Sequence, residues 1–556
     1  MVLGFNIVSF TGQIRANAVA MTVRAYRGNF ATSGSVGIFV ETGGGTLQSS
    51  SFIACGFTAA AVSTFILPLN NVVITGSTIN AASAFIVSTS NITDLKISEC
   101  LIAAGAAVLL TAGSGVVSGV EVVNCRVSIT ALGAGGRLFS FANTGNIDNV
   151  VLRDVIIRIT GGTTTVGNPA YVFAIQSNAN SRGIVLDNLD VDANVGSFVG
   201  GVLLDQNIFL DTVKILNSHF RRTVNLAVIG GTTGTLSVGS VSIRGCTHDN
   251  FDAHDVVYGV QLVSNPKLNK LEIIDCVFTR YGANGGAGVR IGVDLSSTGL
   301  SSHFVVKGCT FFSIGFGSAS IAAGVYYNSV AVSVALDTIT ICDNDFYLIS
   351  SGLTDLSAAI YVRSANSVDE AVDISRNTIN SVGSTTTSAA TYGIYVRGVN
   401  SANSRTKISD NSISMVQGSS AAATSEVSGI ALSIVTGVSV VNNKIVECTG
   451  PASGIGPNGA SIRLSDNGTI SDVIISNNTC DQTQGTAANC RFNIVVFAQS
   501  VSDLVISNNL VYTSATAQAG ITLTRLVDGC RACKLSHRKQ RCEARKYCIG
   551  RRRNYC

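Results

Sequence analysis

The chain has 556 residues, of which 46% are hydrophobic and only 13% charged, with 57 Gly, 5 Pro and no Trp. Scarce Lys and Glu beside many Val, Ile, Thr and Ser favour strands over helices, and no run of about 18 apolar residues is present to make a transmembrane helix. The net charge of +4 misleads: Gly529–Cys556 holds ten Lys or Arg and one Glu, so the rest of the chain carries 27 basic and 32 acidic residues, about −5, which excludes the basic surface of a nucleic-acid binder.

The opening MVLGFNIVSFTGQIR has no basic stretch before an apolar block, so it does not read as a secretory leader, although a clipped start would look the same. Residues 1–46 (FNIVSF, MTVRAYRGNF, VGIFVET) are strand-like but follow no repeat, and are expected to cap the repeat region. Beyond them one eight-residue phrase recurs. It is plainest in VDISRNTI (372–379), TKISDNSI (406–413), VSVVNNKI (438–445), VIISNNTC (473–480) and LVISNNLV (504–511), whose starts lie 34, 32, 35 and 31 residues apart.

Weaker copies run back to VVITGSTI (72–79), giving fifteen at spacings of 23 to 35. Apolar residues stand at position three and usually at one and eight, so each phrase reads as a strand with one buried face. Midway between copies lies a second short strand opened by Gly or Ala: GVLL (201–204), GVQL (259–262), GVRI (288–291), GVYY (324–327), AIYV (359–362), GIYV (393–396), GIAL (429–432) and GITL (520–523). Gly, Ser, Thr, Asn and Ala fill the connections, as turns require. This pattern predicts an all-β fold, a single-stranded right-handed parallel β-helix of about 15 coils over 47–526, followed by a basic Cys-rich tail at 527–556.

Position six carries the strongest signal. Asn344, Asn377, Asn411, Asn443, Asn478 and Asn509 occupy it late in the chain, and Cys100, Cys125, Cys246, Cys276 and Cys309 earlier. Stacked amides hydrogen-bond one another, and a thiol fills the same small space without needing a partner. Vertical disulfides are the alternative, although three consecutive positions, Cys246, Cys276 and Cys309, cannot all pair among themselves.

The phrase resembles the repeats of the right-handed parallel β-helices of the pectate-lyase-like superfamily, over about residues 70–525. The Val/Ser/Thr/Ala-rich tone, with VVNNKI and VISNNLV, is also similar to the dispersed gene family of large surface proteins of trypanosomes and their relatives. The first resemblance implies architecture alone. The second implies a cell-surface or extracellular location and a fragment or truncated copy, since those proteins are longer and end in membrane spans.

Two groups of residues could carry function. Aligned on the opening residue of the second strands, Tyr326, Tyr361 and Tyr395 share a column that Arg290 precedes, and Asn328, Arg363 and Arg397 form a parallel column. Alternation turns both outward, as a strip able to stack a sugar or hold an acidic chain; the competing reading is a same-residue ladder that only stabilises the sheet. The second group is HDNFDAHD: His248, Asp249, Asp252, His254 and Asp255 could serve acid/base chemistry or a cation, or simply form a polar turn. No polygalacturonase-type set of Asp-Asp, Gly-His-Gly and Arg-x-Lys is found, no metal motif is matched and no cofactor is expected.

The tail begins Cys530-x-x-Cys533 but lacks a second such pair, so a zinc module, a basic anchor and a disordered or frame-shifted end are all open. Sequons at Asn91, Asn467 and Asn477 are compatible with export. The expected function is a non-enzymatic surface or adhesive β-helix that binds a glycan or a surface or extracellular-matrix protein. The alternative is a carbohydrate-active enzyme, a lyase or glycosidase.

Overall fold

A computed structural model shows an all-β parallel solenoid; among the described residues there is no helix. It describes residues 2–4, most of 9–524, and 534–536. The segments left out fall between strands, among them 231–236, 251–256, 282–288, 330–337, 365–370, 399–405, 419–425, 451–458 and 484–491, together with 537–556.

Most circuits of the chain lay down three strands, each pairing in parallel with its counterpart in the next circuit; in a few, one long strand such as Ile147–Ile159 or Ala460–Ser476 serves two of the three positions. Ala371–Ser375, Thr378–Ser384 and Ala390–Arg397 pair in turn with Thr406–Ser409, Ser412–Gln417 and Val427–Ser433. Leu69–Thr75, Thr78–Ala81 and Ala84–Ser88 pair likewise with Ile92–Ser98, Leu101–Ala106 and Val108–Ala112. Three parallel sheets result.

In most copies the eight-residue phrase is not one strand, as its alternation suggests, but a corner joining the first two sheets; only in Ile147–Ile159 and Asn180–Ala193 does one strand run through it. In all fifteen copies the fifth residue has positive φ, from Gly76 (58°) through Asp343 (59°) and Arg376 (56°) to Asn508 (53°). That left-handed conformation turns the chain sharply, and Asn, Asp and Gly, which dominate the position, adopt it at least cost. The corner also marks two earlier copies the sequence reading passed over: 23–30, bent at Arg27 (54°), and 50–57, bent at Ala54 (52°). Ala20–Tyr26 accordingly pairs in parallel with Thr46–Ile53, so the ladder already runs through residues before Leu47.

Two compact units divide the chain: Met1–His254 with Tyr258–Val277, and Asp255–Val257 with Phe278–Cys556. In the first, Phe30, Phe39, Phe52, Phe57, Phe65 and Phe85 form a buried aromatic cluster, with Phe39 and Phe65 stacked at 4.9 Å. In the second, position eight stacks Phe278, Phe311 and Phe346 at 5.1 and 4.7 Å. Val372, Ile374 and Ile379, at positions one, three and eight, are fully buried. Burial of that kind contributes about 1.5–3 kcal/mol per large side chain, and many such residues repeat it.

Position six closes each corner. In the second unit Asn344, Asn377, Asn411 and Asn443 each donate Nδ2 to Oδ1 of the next Asn at 2.9 Å, and each also donates its backbone N–H to the same oxygen. Asn478 continues the row to Asn509. In the first unit Cys55, Cys100, Cys125, Cys246 and Cys276 hold the position as buried free thiols, each donating weakly to a corner carbonyl. No described cysteine forms a disulfide.

Candidate functional site

The tyrosine row lies on the third sheet of the second unit. Parallel pairing sets Tyr326 beside Tyr361, Tyr361 beside Tyr395, and Asn328, Arg363 and Arg397 in the neighbouring row. Val325, Tyr327, Ile360, Val362, Ile394 and Val396 between them are fully buried, while the tyrosines, Asn328 and both arginines are half-buried on the outer face. The columns therefore point as alternation requires.

The rings stack at 4.9 and 4.8 Å with interplanar angles of 9° and 8°. That separation matches the spacing of neighbouring strands, so each ring spends its faces on its neighbours. The strip thus offers solvent the ring edges and hydroxyls with the guanidinium groups of Arg363 and Arg397, rather than a platform for a sugar to lie on. Burial raises the pKa of Tyr361 and Tyr395, against a smaller opposing pull from those arginines, and Tyr326 is pushed up to about 12. All three phenols stay protonated at neutral pH and can donate.

Arg290 is not in this column. The segment GVRIGVD contains two Gly-Val pairs, and pairing uses the second: Arg290 lies opposite Ala322, whereas Asp294 lies opposite Tyr326. Arg290 is fully buried, and it is Asp294, 7% exposed and with its carboxyl pKa raised by burial, that heads the row.

Beyond Tyr395 the row continues through Ala431 to Arg463. Tyr392 tilts against Tyr395 at 4.7 Å and packs with Leu356, Ala358 and Ala431 in an outer apolar cluster. Its hydroxyl donates to Glu426 Oε2 at 2.5 Å, and Arg463 Nη2 donates to Glu426 Oε1 at 2.8 Å. The sequence reading missed Asp294, Tyr392, Glu426 and Arg463. For Asp294 the signal was the second Gly-Val pair, Gly292-Val293, which repeats Gly324-Val325.

No protein-family model, curated protein or solved structure matches this chain.

The HDNFDAHD group divides. His248 is fully buried, with Nε2 2.9 Å from the Thr223 carbonyl oxygen, to which Asn250 Nδ2 also donates at 2.8 Å. An acceptor at that distance places the proton on Nε2. Asp249 is 7% exposed and lies in a row on the second sheet that reads Ser128, Arg158, Asp192, Arg221, Asp249. Ion pairs with residues beside this row brace it: Asp190 bridges Arg158 at 2.5 Å and Arg221 at 2.7 Å, and Asp192 pairs with Arg222. Burial pushes the Asp190 pKa up, yet the two arginines together outweigh it and hold the carboxyl below its ordinary range. Asp252, His254 and Asp255 lie outside the described residues. Among those described, no three His, Cys, Asp or Glu side chains converge as a metal site.

Proposed function

We propose that this chain is a non-enzymatic binding solenoid, displayed at a cell surface or secreted, whose tyrosine and arginine rows take an acidic glycan or protein. The observation that carries this reading is the register of Tyr326, Tyr361 and Tyr395 beside Arg363 and Arg397 on one outer sheet face. Parallel strands hold the donors about 4.8 Å apart, so a ligand with repeating acidic groups meets a preordered row. In the same reading the coil is right-handed with about 15 turns, built as in the pectate-lyase-like superfamily, and the chain is akin to the dispersed gene family of surface proteins. The right-handed preference of parallel crossovers supports the hand, and the fifteen phrases, with the two earlier corners at Arg27 and Ala54, support a count of at least 15.

A lyase or glycosidase needs paired carboxylates at one open site. Asp249 instead stands in register beside Arg221, which Asp190 also bridges. Binding to an array of acidic and neutral glycans tests the proposal. Arg363→Gln with Arg397→Gln, which leaves the tyrosine stack in place, is expected to weaken binding by about tenfold or more. Unchanged binding, or release of reducing-end or unsaturated products from a polyuronide that Asp252→Ala abolishes, would overturn it.

A further inference from the structure

We propose that Arg463 is the anchor of this row for the oxyanion of an acidic sugar, a uronate carboxylate or a sulfate ester. The inference rests on the binding reading above and names the ligand class. Arg463 is 5% exposed, and its Nε and Nη1 are shielded from solvent with no hydrogen-bond acceptor. Only Nη2 is engaged, by Glu426 Oε1. A guanidinium carries five N–H donors, and burying a cation that one carboxylate only partly satisfies is costly, so Arg463 keeps a demand for an oxyanion, which must approach from the Glu426 side because Nε and Nη1 are shielded.

The surroundings suit that ligand. Arg463 shares its row with Tyr395 across Ala431, whose methyl group is the smallest side chain in the row, and Arg397 flanks Tyr395. The Glu426 side chain is 44% exposed whereas that of Arg463 is 6% exposed, so Glu426 stands on the solvent side of the pair. Its carboxylate already shows the geometry a ligand acid would adopt, bridging the Tyr392 hydroxyl and the guanidinium. Glu426 and an incoming acid therefore compete for one cation, and this gives the site a signature that a structural arginine lacks.

The test is a binding titration of the whole chain with size-matched uronate, sulfated and neutral oligosaccharides, and with inorganic sulfate. The wild type is expected to bind one acidic series about tenfold more tightly than the neutral one, and whichever series it prefers identifies the acid. Arg463→Gln should abolish that preference, and Glu426→Gln, a mild change at a partly exposed position, should increase it. Loss in one variant and gain in the other supports the anchor. A preference unmoved by Glu426→Gln, or the same in Arg463→Gln as in the wild type, overturns it. Should no oligosaccharide bind at all, the binding reading itself fails. Arg463 is then judged by inorganic sulfate alone: a rise in thermal midpoint that Arg463→Gln lacks supports an anion site, and an equal rise or none in both proteins rejects it.

Discussion

Asn411 donates its side-chain Nδ2 to Oδ1 of Asn443 at 2.9 Å and its backbone N–H to the same oxygen at 3.0 Å, while its own Oδ1 accepts the same two bonds from Asn377. One side chain thus closes the corner above it and the corner below. Asn411→Ala would orphan the buried Asn377 N–H and the Ile374 carbonyl, which Asn411 Nδ2 satisfies at 2.9 Å. At about 1–3 kcal/mol for each orphaned buried group, the loss should reach about 3 kcal/mol or more, read from the urea midpoint. Cys276→Ala, at the same position of another coil, removes only a weakly bonded thiol and should cost about 1 kcal/mol. Equal losses would show that the amide row does not hold the corners.

Ile434 sits at φ 50°, a left-handed conformation in which a β-branched side chain is strained. Ile434→Asn should therefore raise stability by about 1 kcal/mol, against the usual direction of replacing an apolar residue. A thermal midpoint that falls would contradict the strain.

Much of the fold is legible in the sequence because a corner that needs Asn, Asp or Gly at position five and a small side chain at position six leaves a mark that repeats. Arg27 and Ala54 make the same corner without Asn, Asp or Gly at position five, which hid the two earliest copies. Of the candidate site, the tyrosine and arginine rows could be read by alternation, since one repeat resembles the next. Arg290 could not be placed, because GVRIGVD offers two equally good alignments four residues apart and only strand pairing chooses between them. Glu426 and Arg463 lie outside the repeated motif, so no periodicity announces a contact between residues 37 apart.

Gly429 lies inside the strand Val427–Ser433, two residues before Ala431. A Cβ there would lie 2.5 Å from Ile445 Cγ2 and 2.8 Å from the Ser461 carbonyl oxygen. Gly429→Ala should cost about 1–3 kcal/mol through overpacking, measured by urea unfolding. A neutral result would mean that the surroundings of Gly429 give way more readily than this packing allows.

Burial pushes the Cys480 thiol from 9.0 up to about 12 and Tyr326 from 10.0 to about 12. Both groups are acids that the folded state keeps protonated. Their contribution to stability is full below the unfolded pKa and is lost as pH climbs from about 9 toward 12. The urea midpoint should accordingly fall between pH 7.5 and pH 10.5, and Cys480→Ala should flatten part of that slope. An identical slope in the variant would contradict the assignment.

Stacking in register is the central claim, because the tyrosine row, the arginine pair and the Arg463 anchor all depend on it. Cysteine cross-linking reads it directly: Arg363 and Arg397 are paired on adjacent strands, and Arg397 and Ser433 on the next pair. Paired positions fall within the Cα separation a disulfide spans, and positions two strands apart, about 9.6 Å, do not. Mild oxidation of Arg363→Cys/Arg397→Cys should give a bridged peptide by mass spectrometry, and Arg363→Cys/Ser433→Cys should not. Bridging in neither pair, or equally in both, would contradict the register and the site built on it.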